Sequence, residues 1–101
     1  MILTGKAKEH FLQWNEDNDA PLSTYAIEQG LIYGTVLNAI IIEWFDDKDI
    51  FINIDKWSLS FWRASINNPY LNSLGCSFSS RQEATRKAII KANEIYNSKF
   101  E

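Results

Sequence analysis

A single cysteine, Cys76, and a single histidine, His10, occur in this chain of 101 residues. One cysteine excludes an intramolecular disulfide and an all-cysteine metal site within one chain, and it points to a reducing compartment, the cytoplasm. One histidine leaves any Ser/His/Asp or Cys/His constellation to be built around a single ring that nothing adjacent in sequence orients. Long apolar runs are missing as well. The longest, Ala39 to Ile42, falls far short of the roughly 20 residues that span a bilayer, and the opening Met-Ile-Leu-Thr-Gly-Lys has no apolar stretch of signal-peptide length. Excess positive charge is also absent. The formal net charge is −3 and the pI about 5.1, so nothing draws the whole molecule towards nucleic acid or anionic membranes.

Large apolar side chains are plentiful. Hydrophobic residues make up 46% of the chain and aromatic residues 14%, with Trp14, Trp44, Trp57 and Trp62 among them. This length and composition suit one domain around one core, with much of the buried area supplied by a few rings. The charge is unevenly spread. Residues 1–49 hold three bases against nine acids, and residues 50–101 hold seven bases against four acids, so an anion site belongs to the C-terminal half. There is no repeat, linker or low-complexity stretch.

Ala7, Phe11 and Trp14 recur at helical spacing over residues 5–15, with Thr4 as N-cap. Residues 16–21 carry turn chemistry. From Ser23 a short helix and then a longer one are expected. In the longer helix Val36, Leu37, Ile40, Ile41 and Trp44 form the central core stripe. The run Ile50 to Ile54 reads as a strand, Asp55-Lys56 as a hairpin turn, and Trp57 to Ile66 as the partner strand with apolar residues on both faces. Residues 67–75 form a loop, and Cys76 to Phe78 a short third strand. Ser80 and Glu83 make a capping box that opens a last helix, buried through Ala84, Ala88, Ala92 and Ile95. The expected class is α+β: a small antiparallel sheet of two or three strands packed against helices, in the order α-α-β-β-(β)-α.

Three constellations invite a chemical role. Asp17, Asp19 and Glu28 fall at the first, third and twelfth positions of a calcium loop, but Pro21 and Leu22 stand where a ligand and the turning glycine are required. Asp46, Asp47 and Asp49 beside Lys48 could hold a hard cation, yet a solvated helix exit has the same composition. Arg81, Arg86, Lys87 and Lys91 on the last helix are the candidate anion or nucleic-acid contacts. The amides after Ser80 suit a phosphate, while Glu83 pairing with Lys87 at i,i+4 would be the mark of a solvated helix. Trp62 and Tyr70 are the candidate interaction aromatics. His10, beside Phe11 and Trp14, reads as flanking the core.

The C-terminal half, two strands, a short strand and a helix opened by Ser-Arg-Gln-Glu-Ala, resembles a double-stranded-RNA-binding domain. Of that family's basic residues at the start of the last helix, the resemblance carries over to Arg81 only. A second resemblance rests on two stretches, Thr-Gly-Lys-Ala-Lys-Glu-His-Phe-Leu-Gln-Trp at the start and Ser-Arg-Gln-Glu-Ala-Thr-Arg-Lys-Ala-Ile-Ile-Lys-Ala-Asn-Glu-Ile-Tyr-Asn at the end. Both are similar to short uncharacterised proteins of phages and prophages of gut-dwelling bacteria, which implies a setting and no activity. The expectation is therefore a non-enzymatic accessory or interaction protein with no catalytic, cofactor or metal residues. Its partner is a protein, a second copy of itself included, and not a membrane. The alternative is a nucleic-acid-binding module using the basic last helix.

Overall fold

The computed structural model describes residues 1–18, 23–67 and 72–101. In chain order the elements are α1 (Gly5–Asp17), α2 (Thr24–Glu28), α3 (Gly34–Asp47), β1 (Phe51–Lys56), β2 (Trp62–Asn67), β3 (Asn72–Phe78) and α4 (Arg81–Ser98). The three strands form an antiparallel meander in the order β1-β2-β3. The chain is α+β, and the third strand exists and is longer than its residues suggest.

The core is built where α1, α3 and α4 meet β1 and β2. Leu37, Ile41, Trp44 and Phe45 of α3 are buried, as are Ala7 and Phe11 of α1 and Ile89 and Tyr96 of α4. Two details differ from the periodicity. Val36 is exposed, and Phe45 replaces it in the stripe, because i, i+4, i+7, i+8 from Leu37 is the face that α4 covers. On α4, Ile95 is only half buried, whereas Ile89, Asn93 and Tyr96 are buried beside the alanines. The helix has two neighbours. Ala84 and Ala88 lie against Ala64 on the inner face of the sheet, and the Ile89–Tyr96 flank meets the helices.

The hairpin also differs. Cross-strand pairing of Asp55 with Arg63 and of Lys56 with Trp62 carries β1 through the expected turn, so residues 57–61 form the connection and β2 begins at Trp62. The two faces of the sheet are consequently unlike. Ile52, Ile54, Trp62, Ala64, Leu74 and Phe78 face α4, and the outer face presents Asn53, Asp55, Arg63, Ser65 and Ser73, which a solvated sheet face requires. Arg63 grips Asp55 through Nε and Nη2 at 2.7–2.9 Å. That hydrogen bond holds the Asp55 carboxyl below the usual carboxylate range. Against β2, β3 advances three residues between Trp62 and Ala64 and two between Ala64 and Ser65. These bulges, with Gly75 at φ +111°, twist the edge away from regular pairing.

α3 ends in a Schellman motif. The Ile50 amide donates to the Phe45 carbonyl at 2.9 Å and the Asp49 amide to the Asp46 carbonyl at 3.1 Å. Asp49 therefore takes φ +59° at the position that favours glycine. Burial and the neighbouring Glu43 charge raise the Asp46 carboxyl above its ordinary value.

Candidate functional site

Tyr25, Leu31, Tyr33 and Val36 are exposed around α2 and the start of α3, and two further surface regions carry side chains that could meet a partner. The first is the β1–β2 connection. Its sequence, Trp57-Ser58-Leu59-Ser60-Phe61, alternates like a strand, but Ser58 turns it. The Ser58 hydroxyl oxygen accepts from the amides of Ser60 at 3.3 Å and Phe61 at 3.2 Å. The amides of Trp57 and Ser58 donate in turn to the Phe61 carbonyl. Four of the five loop amides are thus satisfied within the loop. Trp57 and Phe61 stack with ring centroids 6.3 Å apart, and the Trp57 indole N–H donates to the Cys76 carbonyl of β3. Held this way, Leu59 is 95% exposed, Trp57 49% and Phe61 42%. The result is a braced apolar knob whose side chains, and not its backbone, face outward.

Beside the knob stands Trp62, half buried on the inner face of β2. Lys56 Nζ lies 5.7 Å and the Arg81 guanidinium carbon 5.9 Å from its ring centroid, both at cation–π distance. Two of the residues singled out in the sequence, Trp62 and Arg81, are thereby brought together, and Lys56 joins them without a sequence signal. Tyr70 lies outside the described residues.

The second region is the groove between α3 and α4, lined by Thr35, Asn38, Ala39 and Ile42 on one side and Arg81, Gln82 and Thr85 on the other. Arg86 lines a neighbouring hollow that also includes Asn38. Lys87 and Lys91 do not join them. At about 100° per residue they fall on the flank of α4 opposite the groove residues Gln82 and Thr85, and Lys91 pairs with Glu94 at 3.5 Å. The four bases therefore make no single patch. The expected Glu83–Lys87 pair is replaced by a cap: the Glu83 carboxylate accepts from the Ser79 hydroxyl at 2.9 Å, and the Glu83 amide donates to the Ser80 hydroxyl at 3.1 Å. A carboxylate therefore stands at the start of α4, where the helix dipole favours negative charge.

The remaining candidates are dispersed. His10 Nδ1 is 2.6 Å from the Tyr96 hydroxyl, with its ring edge-on to Tyr96 and Phe100, so it flanks the core. Burial raises the Tyr96 hydroxyl above the ordinary phenol value. Asp17 and Glu28 end α1 and α2, and Asp19, Pro21 and Leu22 lie outside the described residues. Asp46 and Asp47 sit in the last turn of α3 and Asp49 just beyond it. Among the described residues no group of three or more His, Cys, Asp or Glu side chains could hold a metal ion. No family model matches the chain, and no curated protein and no solved structure matches it.

Proposed function

We propose that this chain is a non-enzymatic interaction protein of the accessory type carried by phages and mobile elements, and that it engages a protein partner through the knob at residues 57–61. One observation carries the reading: Leu59, Trp57 and Phe61 project from a loop in which four of the five amides are satisfied internally. A solvated loop has no need to satisfy its own amides, because water does so. A loop that becomes buried against a partner does need to. Apolar and aromatic side chains presented on a rigid mount are the usual anchors of protein interfaces. The two stretches that resemble phage proteins meet in the fold, where Thr4 and Ala7 bond to Asn93 and Asn97, so they account for the scaffold and leave the knob free for contact. The exposed, unpaired thiol of Cys76 suits a reducing, cytoplasmic setting. No membrane is part of this reading; among the described residues no helix is long and apolar enough to cross one.

A second reading, a nucleic-acid-binding module, draws on Arg81 standing over Trp62 and on the resemblance of the C-terminal half to a double-stranded-RNA-binding domain. It is weaker, because Lys87 and Lys91 turn away from the groove that Arg81 and Arg86 line.

Light scattering and capture from a bacterial host lysate, each run on the wild type and on Leu59→Asp, test the leading reading. Leu59 is almost wholly exposed, so the variant should fold and melt as the wild type does. The wild type should self-associate or retain a host protein, and Leu59→Asp should weaken that complex at least about tenfold. A monomer that captures nothing, or a complex indifferent to Leu59→Asp, would overturn the reading.

A further inference from the structure

The groove between α3 and α4 has a chemistry of its own. An open hollow of about 290 Å³ between the helices adjoins, through Asn38, a second of about 350 Å³ that lies between the start of α3, Arg86 of α4, the N-terminal residues Met1 and Ile2, and the α2 region. Ala39 and Ile42 floor the first, and Ile2, Ile27, Ile32 and Leu37 line the second. Arg81 stands at the first and Arg86 at the second. No carboxylate lines either hollow, although the chain carries 13 acids. Neither arginine has an ion pair among the described residues, whereas Arg63 and Lys91 do. Five residues apart on α4, the two arginines are separated by about 7.5 Å along the helix axis.

From this we infer that the groove receives an acidic amphipathic helix of a partner protein, its apolar face on the floor and its carboxylates on Arg81 and Arg86. The two arginines diverge by about 140° around α4, one at each hollow, so carboxylates one or two turns apart on such a helix, about 5–11 Å, meet them at its two ends. An apolar stripe at i, i+3, i+4 and i+7 is the usual way a helix fills a groove between two helices. Charge decides between occupants of this shape. A basic helix would bring cations against two unpaired guanidinium groups, and an acidic helix would neutralise them. The floor favours a helix over a nucleic-acid strand, because Ile2, Ile27, Ile32, Leu37, Ala39 and Ile42 match an apolar stripe and offer no aromatic face to bases, although Thr35, Asn38, Gln82 and Thr85 on the walls can donate hydrogen bonds. The inference rests on the reading that this chain binds protein, but it does not depend on the knob.

Fluorescence anisotropy with three labelled probes tests it. The first is a peptide of about 14 residues with leucine at the stripe positions and glutamate elsewhere. The second is the same peptide with lysine for glutamate, and the third is an oligo(dT) of about 20 nucleotides. The Leu/Glu peptide should bind with Kd of about 10 μM at about 50 mM salt and several-fold more weakly at about 300 mM. Changing Arg81 and Arg86 together to Glu should weaken it at least about tenfold, with Arg→Gln at both sites giving a smaller loss in the same direction. Ala39→Glu, which places a charge on the floor, should also weaken it. Leu59→Asp should leave it unchanged, so that failure here and failure of the knob reading are separable. Absence of saturable binding up to about 1 mM, or binding indifferent to the arginine changes, would overturn the inference. Arginine-dependent binding of oligo(dT) without binding of the Leu/Glu peptide would overturn it equally, and would assign the groove to single-stranded nucleic acid.

Discussion

Trp44→Ala is expected to remove about 3–5 kcal/mol of stability, a large share of the roughly 5–15 kcal/mol that a domain this size usually has in total. The ring is fully buried and is the hub of the aromatic core, with centroids 4.9 Å from Phe45, 4.9 Å from Tyr96 and 5.8 Å from Phe11. These neighbours sit on α3, α4 and α1, so the cavity left behind would touch all three helices at once. Trp44→Phe should behave very differently. The Trp44 indole N–H has no hydrogen-bond partner among the described residues, and a buried donor left unpaired costs about 1–3 kcal/mol. Phenylalanine loses packing but also removes that donor, so its net cost should be about 1 kcal/mol. Urea unfolding of both variants checks the contrast. A Trp44→Ala cost below about 1 kcal/mol, or equal costs for the two, would contradict the packing described.

The second large effect is expected at the junction of the chain ends. Asn93 and Asn97, one turn apart on α4, each use both ends of the side-chain amide. Asn93 Oδ1 accepts from the Thr4 amide at 2.9 Å and its Nδ2 donates to Thr4 Oγ1 at 3.0 Å. Asn97 Oδ1 accepts from the Ala7 amide at 2.8 Å and its Nδ2 donates to the Thr4 carbonyl at 3.0 Å. Thr4 makes no side-chain cap of its own; α4 caps α1 across nearly the whole chain length. Asn93→Ala strips two hydrogen bonds from a site 8% exposed and should cost about 2–3 kcal/mol. Gly5→Ala should cost about as much by another route. Gly5 has φ +57°, and a Cβ there would meet the Asn97 side-chain nitrogen at 3.2 Å; left-handed backbone alone costs a substituted residue about 1–2 kcal/mol. Because both changes loosen the same clasp, Asn93→Ala combined with Gly5→Ala should cost less than the two added together, by at least about 0.5 kcal/mol. Strict additivity in chemical denaturation would show that the clasp is not one unit.

Local physics made the start of α4 and its alanine face legible from residue types, because Ser80, Glu83, Ala84 and Ala88 act within a few residues of one another. The position of the sheet followed in the same way from the β-branched run at Ile50 to Ile54. The hairpin did not. Trp57-Ser58-Leu59-Ser60-Phe61 alternates apolar and polar at the period of a strand, and the turn depends on a single hydroxyl, Ser58, accepting two amides. A serine after the first tryptophan was the one available sign. The clasp left no local trace, since Thr4 and Asn93 are 89 residues apart. The groove was hidden for a related reason. Asn38 and Thr35 read as the polar side of one helix, Arg81 and Arg86 as the solvated side of another, and only their packing makes one acid-free surface. Lys56 joined Trp62 and Arg81 only once the cross-strand register was known.

The knob's rigidity can be measured without knowing the partner, by amide hydrogen exchange at residues 58–61 of the free protein. The Ser60 and Phe61 amides, bonded to the Ser58 hydroxyl, should exchange at least about tenfold more slowly than an unstructured chain. The Leu59 amide, which has no partner among the described residues, should exchange at nearly the unstructured rate, and Ser58→Ala should release Ser60 and Phe61 to that rate as well. Free exchange at Ser60 and Phe61 in the wild type would mean that the apolar tip is an ordinary solvated loop, and it would contradict a contact surface formed in advance of its partner.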